Sequence, residues 1–287
     1  MRDLSQNYEY FALNTATLKQ WTLERIIEAC GRKGVRAIAP WHDEVERVGV
    51  AQTKRLLHEA NVSLCGYCRG GLFPVATKAE RSTVMDRNRR VIDYARELDA
   101  PCVVMVVGGL PGAMQGAPTS RDLVAAREQV REGIARVLDY AKDVGMPLAI
   151  EPLHPMYAAD RACVNTLEHA LDLCDELDPE AQGALGVALD CYHVWWDPKL
   201  EMQIARAGKR RLLGFHVCDW LVPTRDLLND RGMMGDGVID IPRIRAWVEN
   251  TGFAGYAEVE IFSNANWWQR DGNEVLDTCI ARYQSAV

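Results

Sequence analysis

The chain has 287 residues, of which 48% are apolar and 25% are charged, with 40 acidic residues against 33 basic ones. The apolar content excludes an intrinsically disordered chain, and the 22 glycines and 12 prolines are too few for collagen or a low-complexity protein. A chain of this length can bury a large core, and its net charge of −7 argues against a protein that follows a nucleic acid backbone.

The first residues, MRDLSQNYEYFALN, lack the basic start and long apolar run of a secretory signal peptide. No run of about 18 apolar residues is present, so we expect no membrane span and predict a cytoplasmic protein. The nine cysteines lie mostly in apolar segments, where we expect small buried side chains. Cys65 and Cys68 form a lone CxxC, which is a weak signal for zinc or redox chemistry.

Short apolar runs alternate with longer amphipathic segments along the whole chain. Several of these runs are almost continuously apolar, which is typical of parallel strands covered on both faces. The eight predicted strands are residues 8–13, 35–40, 62–68, 102–107, 148–153, 185–189, 212–217 and 256–261.

Five segments show the 3.6-residue periodicity of amphipathic helices. Thr166 can cap the start of one of them, and Gly34, Gly145 and Gly252 each precede a strand, as glycines at helix C-termini do. The five predicted helices are residues 22–32, 80–98, 121–144, 166–177 and 275–283.

Eight strands that alternate with helices predict an α/β protein in which residues 1–287 form a single (β/α)8 TIM barrel. The alternative is a doubly wound open sheet with a phosphate-binding fingerprint. The turn after the first predicted strand reads LNTATL, with no GxGxxG, and the chain has no Walker loop. The barrel is therefore favoured.

The C-terminal ends of barrel strands carry the chemistry in this fold. A buried carboxylate without a partner costs several kcal/mol or becomes protonated, and several carboxylates in one place repel each other. A divalent cation would resolve both problems. The ionisable residues at the ends of strands five to eight are Glu151, Asp190, His193, His216, Asp219, Glu258 and Glu260.

One imidazole and three carboxylates from these strand ends suit Mn²⁺, Mg²⁺, Co²⁺ or Zn²⁺. Strand alternation puts Glu258 and Glu260 on the same face, but Glu260 is nearer the C-terminal rim. Taken one at a time, each of these residues could instead form an ordinary salt bridge or pack in the core. The predicted metal ligands are Glu151, Asp190, His216 and Glu260.

Motifs in the second half of the chain resemble the xylose isomerase-like superfamily of sugar isomerases and epimerases, with 2-keto-myo-inositol isomerases and ketose 3-epimerases nearest. The LNTATL segment at 13–18 is similar to the inosose-type members. The motifs that carry the resemblance are IEPLH at 150–154, LDCYH at 189–193, HVCD at 216–219, DRGMMGDGVID at 230–240 and VEIF at 259–262.

The resemblance implies the same four metal ligands and one divalent metal ion, with Mn²⁺ as our first choice. It implies that the metal-bound Glu151 and Glu260 act as an acid–base pair on opposite faces of the substrate. It also implies that His193 contacts substrate hydroxyls and that Arg231 holds a substrate oxygen.

This chemistry is reasonable on physical grounds. A 2-keto polyol has an acidic C–H beside its carbonyl, and a chelating metal lowers the cost of the enediolate. One carboxylate removes the proton and another returns it at the neighbouring carbon or on the opposite face. Since a carboxylate that binds a cation is less basic, the order of ligand and base roles stays open.

Three other residues have two interpretations each. His154 and Trp268 are predicted as substrate contacts, although packing would explain them equally well, and the aromatic tail segment is also compatible with a homo-oligomer. Arg69, in YCRGG, could bind a carboxylate or phosphate or be a surface arginine in a glycine turn.

The predicted function is a metal-dependent isomerase or epimerase of a keto-sugar or keto-inositol in carbohydrate metabolism. The alternatives are a lyase or dehydratase that eliminates a β leaving group after the same proton removal, and a non-catalytic sugar-binding subunit. Abasic-site endonucleases share the fold, but they need more than the six histidines present here and a basic groove. We therefore expect no nucleic acid partner.

Overall fold

The computed structural model describes residues 2–287, and within them it shows the expected parallel barrel surrounded by helices. The barrel order is β3-β2-β1-β11-β8-β7-β6-β5-β4, and β9 and β10 form a small antiparallel pair. The strands are β1 (Phe11–Asn14), β2 (Ala37–Ala39), β3 (Ser63–Leu64), β4 (Tyr67–Gly71), β5 (Val103–Val106), β6 (Leu148–Ile150), β7 (Leu185–Asp190), β8 (Leu212–Val217), β9 (Asp219–Trp220), β10 (Arg231–Gly232) and β11 (Ala257–Val259).

The third predicted strand is split in two. β3 pairs with β2, whereas β4 pairs with β5 and shifts register between Cys68 and Gly70. The N–H of Cys68 donates to the carbonyl oxygen of Pro40 at 3.0 Å, and a parallel bridge joins Trp41 to Cys68, so β4 also closes the barrel against the end of β2. The nine strands therefore fill the eight positions of a (β/α)8 barrel.

All five predicted helices are present with small shifts at their ends. Five helices were not identified from the sequence, namely His42–Val48, Val50–Ala60, Cys191–Val194, Leu200–Arg211 and Ile241–Asn250. The first of them is too short to show a 3.6-residue period, and the second buries little more than Thr53 and Leu57. The helices are α1 (Leu23–Lys33), α2 (His42–Val48), α3 (Val50–Ala60), α4 (Lys78–Glu97), α5 (Leu123–Val144), α6 (Leu167–Leu177), α7 (Cys191–Val194), α8 (Leu200–Arg211), α9 (Ile241–Asn250) and α10 (Gly272–Ala286).

Local signals fix several helix ends. The Thr166 side chain accepts a hydrogen bond from the N–H of His169 at 3.1 Å and caps α6. Gly34 and Gly145 end α1 and α5 with φ of 72°, a left-handed conformation that glycine adopts without strain. The next barrel strand follows shortly after each of these two glycines.

The core has two parts because strand side chains alternate between faces. The main apolar core lies between the strands and the helices, and it includes Val103 and Met105 of β5. Val104, between them, belongs to a smaller cluster with Cys68, Cys102 and small alanine side chains, which fills the barrel interior. Within residues 2–287 all nine cysteines are free, and no helix is long and apolar enough to cross a membrane.

Candidate active site

Four strand ends bring the predicted metal ligands together. Glu151 directly follows β6, Asp190 ends β7, His216 lies near the end of β8 and Glu260 directly follows β11. These strands are consecutive in the barrel, so residues far apart in sequence become neighbours. All four side chains are buried, and one donor atom from each lies within 4.8 Å of the others.

Burial and neighbouring charges shift the pKa values of this cluster. Burial raises the pKa of Glu260, and the nearby Glu151 carboxylate raises it further. Burial opposes a charge on His216, yet the carboxylates of Glu258 and Glu151 hold the pKa of its imidazole well above the usual value. Burial also disfavours ionised Asp190, but the Arg231 guanidinium lowers the pKa of that carboxyl. The protonation states of these buried groups therefore depend on one another and on Arg231.

The donor set fits a divalent cation. Three carboxylates and one imidazole are ligands that Mn²⁺, Mg²⁺, Co²⁺ and Zn²⁺ accept. Nδ1 of His216 lies 2.9 Å from Oε1 of Glu151, so this nitrogen faces the other donors. Nε2 of the same ring points the other way, 3.6 Å from Oε2 of Glu258. The histidine can thus offer Nδ1 to a cation while its other nitrogen faces a carboxylate.

Glu258 has a different place from Glu260, a distinction that strand alternation could not make. It pairs in register with His216 on the neighbouring strand. Its Oε1 accepts a hydrogen bond from Nδ2 of Asn14 at 2.7 Å, and its Oε2 accepts one from Sγ of Cys65 at 3.3 Å. Glu258 is therefore held behind the histidine and outside the four-residue donor set, and Cys65 of the CxxC contributes to holding it.

Arg231, on β10, reaches into the donor cluster. Its Nη1 donates to Oδ2 of Asp190 at 2.9 Å and to Oε2 of Glu260 at 3.0 Å. The guanidinium lies between the rings of Tyr192 and Phe262, with Cζ at 4.6 and 4.7 Å from their centroids. Arg231 therefore orients two of the candidate ligands in addition to lining the cavity described below.

Asp219 orders the loop that carries Arg231, a role that its position after β8 did not reveal. Its carboxylate accepts hydrogen bonds from the backbone N–H groups of Gly235, Gly237 and Ile239 at 2.9, 2.9 and 3.0 Å, and from its neighbour Trp220. A Cβ at position 237 would come within 2.2 Å of the Trp220 carbonyl oxygen, so the GDG turn needs its second glycine.

His193, on α7, lines the cavity in its neutral form, because burial lowers the pKa of its imidazole to about 3. The backbone N–H of His154 lies 3.2 Å from Nδ1 of His193, and Nη2 of Arg231 lies 3.2 Å from Nε2. Nε2 also lies 3.7 Å from Oδ2 of Asp190. The ring is therefore held beside Arg231 and Asp190 at the wall of the cavity.

A cavity of about 170 Å³ lies above the donors, at the C-terminal end of the barrel. Glu151 and Glu260 line it together with His193 and Arg231. Its other walls include the aromatic side chains of Trp41, Tyr157 and Phe262 and the side chains of Arg69 and Arg161. Charged and polar groups thus converge on a small, partly apolar space, as in a small-molecule site.

His154 and Trp268, predicted as substrate contacts, do not line this cavity. The His154 ring stacks on Trp220, with centroids 4.9 Å apart, and meets Trp196 edge to face. Trp268 donates from Nε1 to the carbonyl oxygen of Ala16 at 2.8 Å. Both rings are held by packing and hydrogen bonds, which is the alternative interpretation that the sequence left open.

Comparison with protein families gives a match over most of the chain: the model of the xylose isomerase-like TIM barrel family matches residues 24–279. No curated protein sequence matches at a significant level.

Among solved structures, protein SMc04130 from Sinorhizobium meliloti 1021 is 51% identical, with a TM-score of 0.92 over 98% of this chain and 99% of that chain. The IOLI protein with a binding zinc atom is 16% identical, with a TM-score of 0.79 over 96% of this chain and 98% of that one. D-allulose 3-epimerase from Methylomonas sp. is 19% identical, with a TM-score of 0.75 over 97% and 98%. The last two likenesses concern the fold alone.

Proposed function

Because the chain belongs to the xylose isomerase-like TIM barrel family, as its strand-end motifs predicted, we propose that it is a metal-dependent isomerase or epimerase of a keto-sugar or keto-inositol. The observation that carries this proposal is the group of four buried donors, two of which, Glu151 and Glu260, line a small cavity. The structural likeness to D-allulose 3-epimerase and to the IOLI protein supports it.

Glu151, Asp190, His216 and Glu260 would hold the metal. When bound there, the cation supplies positive charge that stabilises the negative charge developing on a substrate oxygen. The zinc in the IOLI structure keeps Zn²⁺ beside Mn²⁺ as a candidate metal.

Glu151 and Glu260 are the groups placed to move the proton. Both line the cavity, and they follow β6 and β11, which are separated in the barrel by β7 and β8. They therefore approach a bound molecule from different sides. One carboxylate takes the proton from the carbon beside the carbonyl, and the other returns a proton at the neighbouring carbon or on the opposite face.

Other side chains position the substrate. The neutral His193 lines the cavity and contacts a substrate hydroxyl, and Arg231 holds Asp190 and Glu260 in place. Trp41 and Phe262, whose rings meet edge to face with centroids 5.9 Å apart, limit the access of water. A site with less water strengthens the electrostatic interactions inside it.

The test is solvent-deuterium incorporation into a panel of keto-sugars and keto-inositols, with metal-free enzyme and with enzyme reconstituted with Mn²⁺ or Zn²⁺. We expect metal-dependent exchange that falls by about 10²- to 10⁴-fold in Glu151→Gln and Glu260→Gln, because each removes a proton-transfer group. Glu128→Gln, on the exposed face of α5, is the matched control. A dehydrated product would instead assign elimination, and the absence of metal-dependent exchange with every compound would refute the proposal.

A further inference from the structure

Two arginines that the proposed proton transfer does not use line the cavity. Arg69 lies in β4, and Arg161 lies in the segment between β6 and α6. The four metal-donor residues come from β6, β7, β8 and β11, so Arg69 faces them from a strand on another side of the barrel. The cavity therefore has an acidic, metal-binding side and a basic side.

Among the described residues, 2–287, the Arg69 guanidinium has no anionic partner and makes no hydrogen bond. It lies over the Trp41 ring, with Cζ 5.3 Å from the centroid. Arg161 is only loosely paired, since its Nε lies 3.7 Å from Oδ2 of Asp160. The other cavity arginine, Arg231, differs because its Nη1 donates to the carboxylates of Asp190 and Glu260.

The surroundings of Arg69 make its positive charge costly. Burial lowers the pKa of its guanidinium, and the positive charges of Arg87 and Arg161 lower it further. A desolvated charge beside like charges is unfavourable unless an opposite charge accompanies it. An anionic ligand between Arg69 and Arg161 would provide that charge, and a guanidinium can bind a carboxylate or a phosphate through two parallel hydrogen bonds.

The cavity is small enough for one molecule to contact both of its sides. Its volume of about 170 Å³ is below the range of roughly 300–1,000 Å³ that holds drug-sized ligands. A single small molecule in it therefore reaches Glu151 and Glu260 on the donor side and Arg69 and Arg161 on the other side. Its carbonyl and hydroxyl oxygens would lie at the donors and its other end at Arg69.

We propose that the substrate is an acidic keto-sugar, with a carbonyl and a hydroxyl at the donor side and a carboxylate or phosphate group bound by Arg69 and Arg161. This inference rests on the proposed function, whose reaction it restricts to one class of substrate. It makes Arg69 and Arg161 specificity-determining residues.

The experiment measures equilibrium binding of three unreactive polyols of matched length by calorimetry at low ionic strength: D-glucitol, D-gluconate and D-glucitol 6-phosphate. It uses the full chain with and without bound metal, because a carboxylate can also bind the metal itself. We expect one or both acids to bind more tightly than glucitol, and we expect Arg69→Gln to reduce that preference on the order of 10- to 100-fold. Arg69→Lys should keep part of it.

Arg161→Gln serves as a second variant that tests the same site if Arg69→Gln does not fold. Arg55→Gln, at an exposed position on α3, is the control. A preference for gluconate assigns a carboxylate, and a preference for the phosphate assigns a phosphate ester. Equal binding of all three polyols, undetectable binding of both acids, or a preference that survives in both arginine variants would overturn the inference.

Failure of this inference is distinguishable from failure of the proposed function. Metal-dependent deuterium exchange confined to neutral keto-sugars would overturn the acidic substrate and leave the isomerase or epimerase standing. Arginine-dependent binding of an acid without exchange into any keto compound would support the anion site and refute the proposed reaction.

Discussion

Glu258 and Glu260 show what a strand pattern can and cannot predict about single residues. The period of two correctly puts both on the inner face of the barrel, but it carries no information about depth. Two residues correspond to about 6.6 Å along a strand. Because of that displacement, Glu260 lies in the donor cluster. Glu258 lies behind His216, where Asn14 and Cys65 hold it.

We predict that Glu258→Gln weakens metal binding by about 10- to 100-fold, because His216 loses the carboxylate that faces its Nε2. The measurement is a calorimetric titration with Mn²⁺ and Zn²⁺, with circular dichroism to verify folding. Glu128→Gln is the control, since Glu128 is exposed and pairs with Arg131 on the same helix. Unchanged metal affinity in Glu258→Gln would mean that this carboxylate does not orient the histidine.

At the scale of elements, the segment between β8 and α9 depends on one carboxylate. The Asp219 carboxylate accepts hydrogen bonds from four backbone N–H groups, three of which lie in the turn that follows Arg231. The side chain is 1% exposed, so water cannot easily replace it as an acceptor. The loop geometry is therefore built into the HVCD and GDG motifs together.

Asp219→Ala is expected to lower the free energy of unfolding by about 2 kcal/mol, because it removes the buried carboxylate that four backbone N–H groups share as acceptor. Urea denaturation measures the change. Asp226→Ala is the matched control, since this aspartate accepts N–H bonds from Leu228 and Asn229 but is exposed to water. We expect it to cost less than about 1 kcal/mol. Equal costs for the two variants would show that the turn does not depend on Asp219.

The sequence predicted elements well where their pattern is long or strongly apolar. The strand at 212–217 and the cap at Thr166 are confirmed, because a buried strand and a capped amphipathic helix each leave a local signal. The third strand was predicted as one element because a bulged strand that changes neighbours has the same apolar pattern as a straight one. α8 was missed because much of its surface is charged.

At the scale of the whole molecule, the barrel order decides which residues meet. Consecutive parallel strands end on one face, so strand counting was enough to predict that Glu151, Asp190 and His216 converge with Glu260. The residues of the cavity wall opposite these donors were harder to predict from the sequence. Arg161 lies on a loop, and nothing in its local pattern shows which cavity a loop side chain will line.

Net charge and local charge also differ at this scale. The net charge of the whole chain is −7, a value that reflects mainly the charged residues of its surface. The interior of the site combines buried carboxylates with three arginines, one paired to the candidate ligands and two facing the cavity. The total charge therefore says little about the charge of the substrate.

The most direct measurement is the metal content of the purified chain after equilibrium dialysis against Mn²⁺ and Zn²⁺, in the wild type and in Asp190→Asn, His216→Gln and Glu128→Gln. We expect one divalent ion per chain in the wild type and in Glu128→Gln, and loss of stoichiometric binding in the other two, because each removes one of four converging donors. A wild type that binds no ion, or Asp190→Asn and His216→Gln variants that still bind one, would contradict a metal centre at these strand ends.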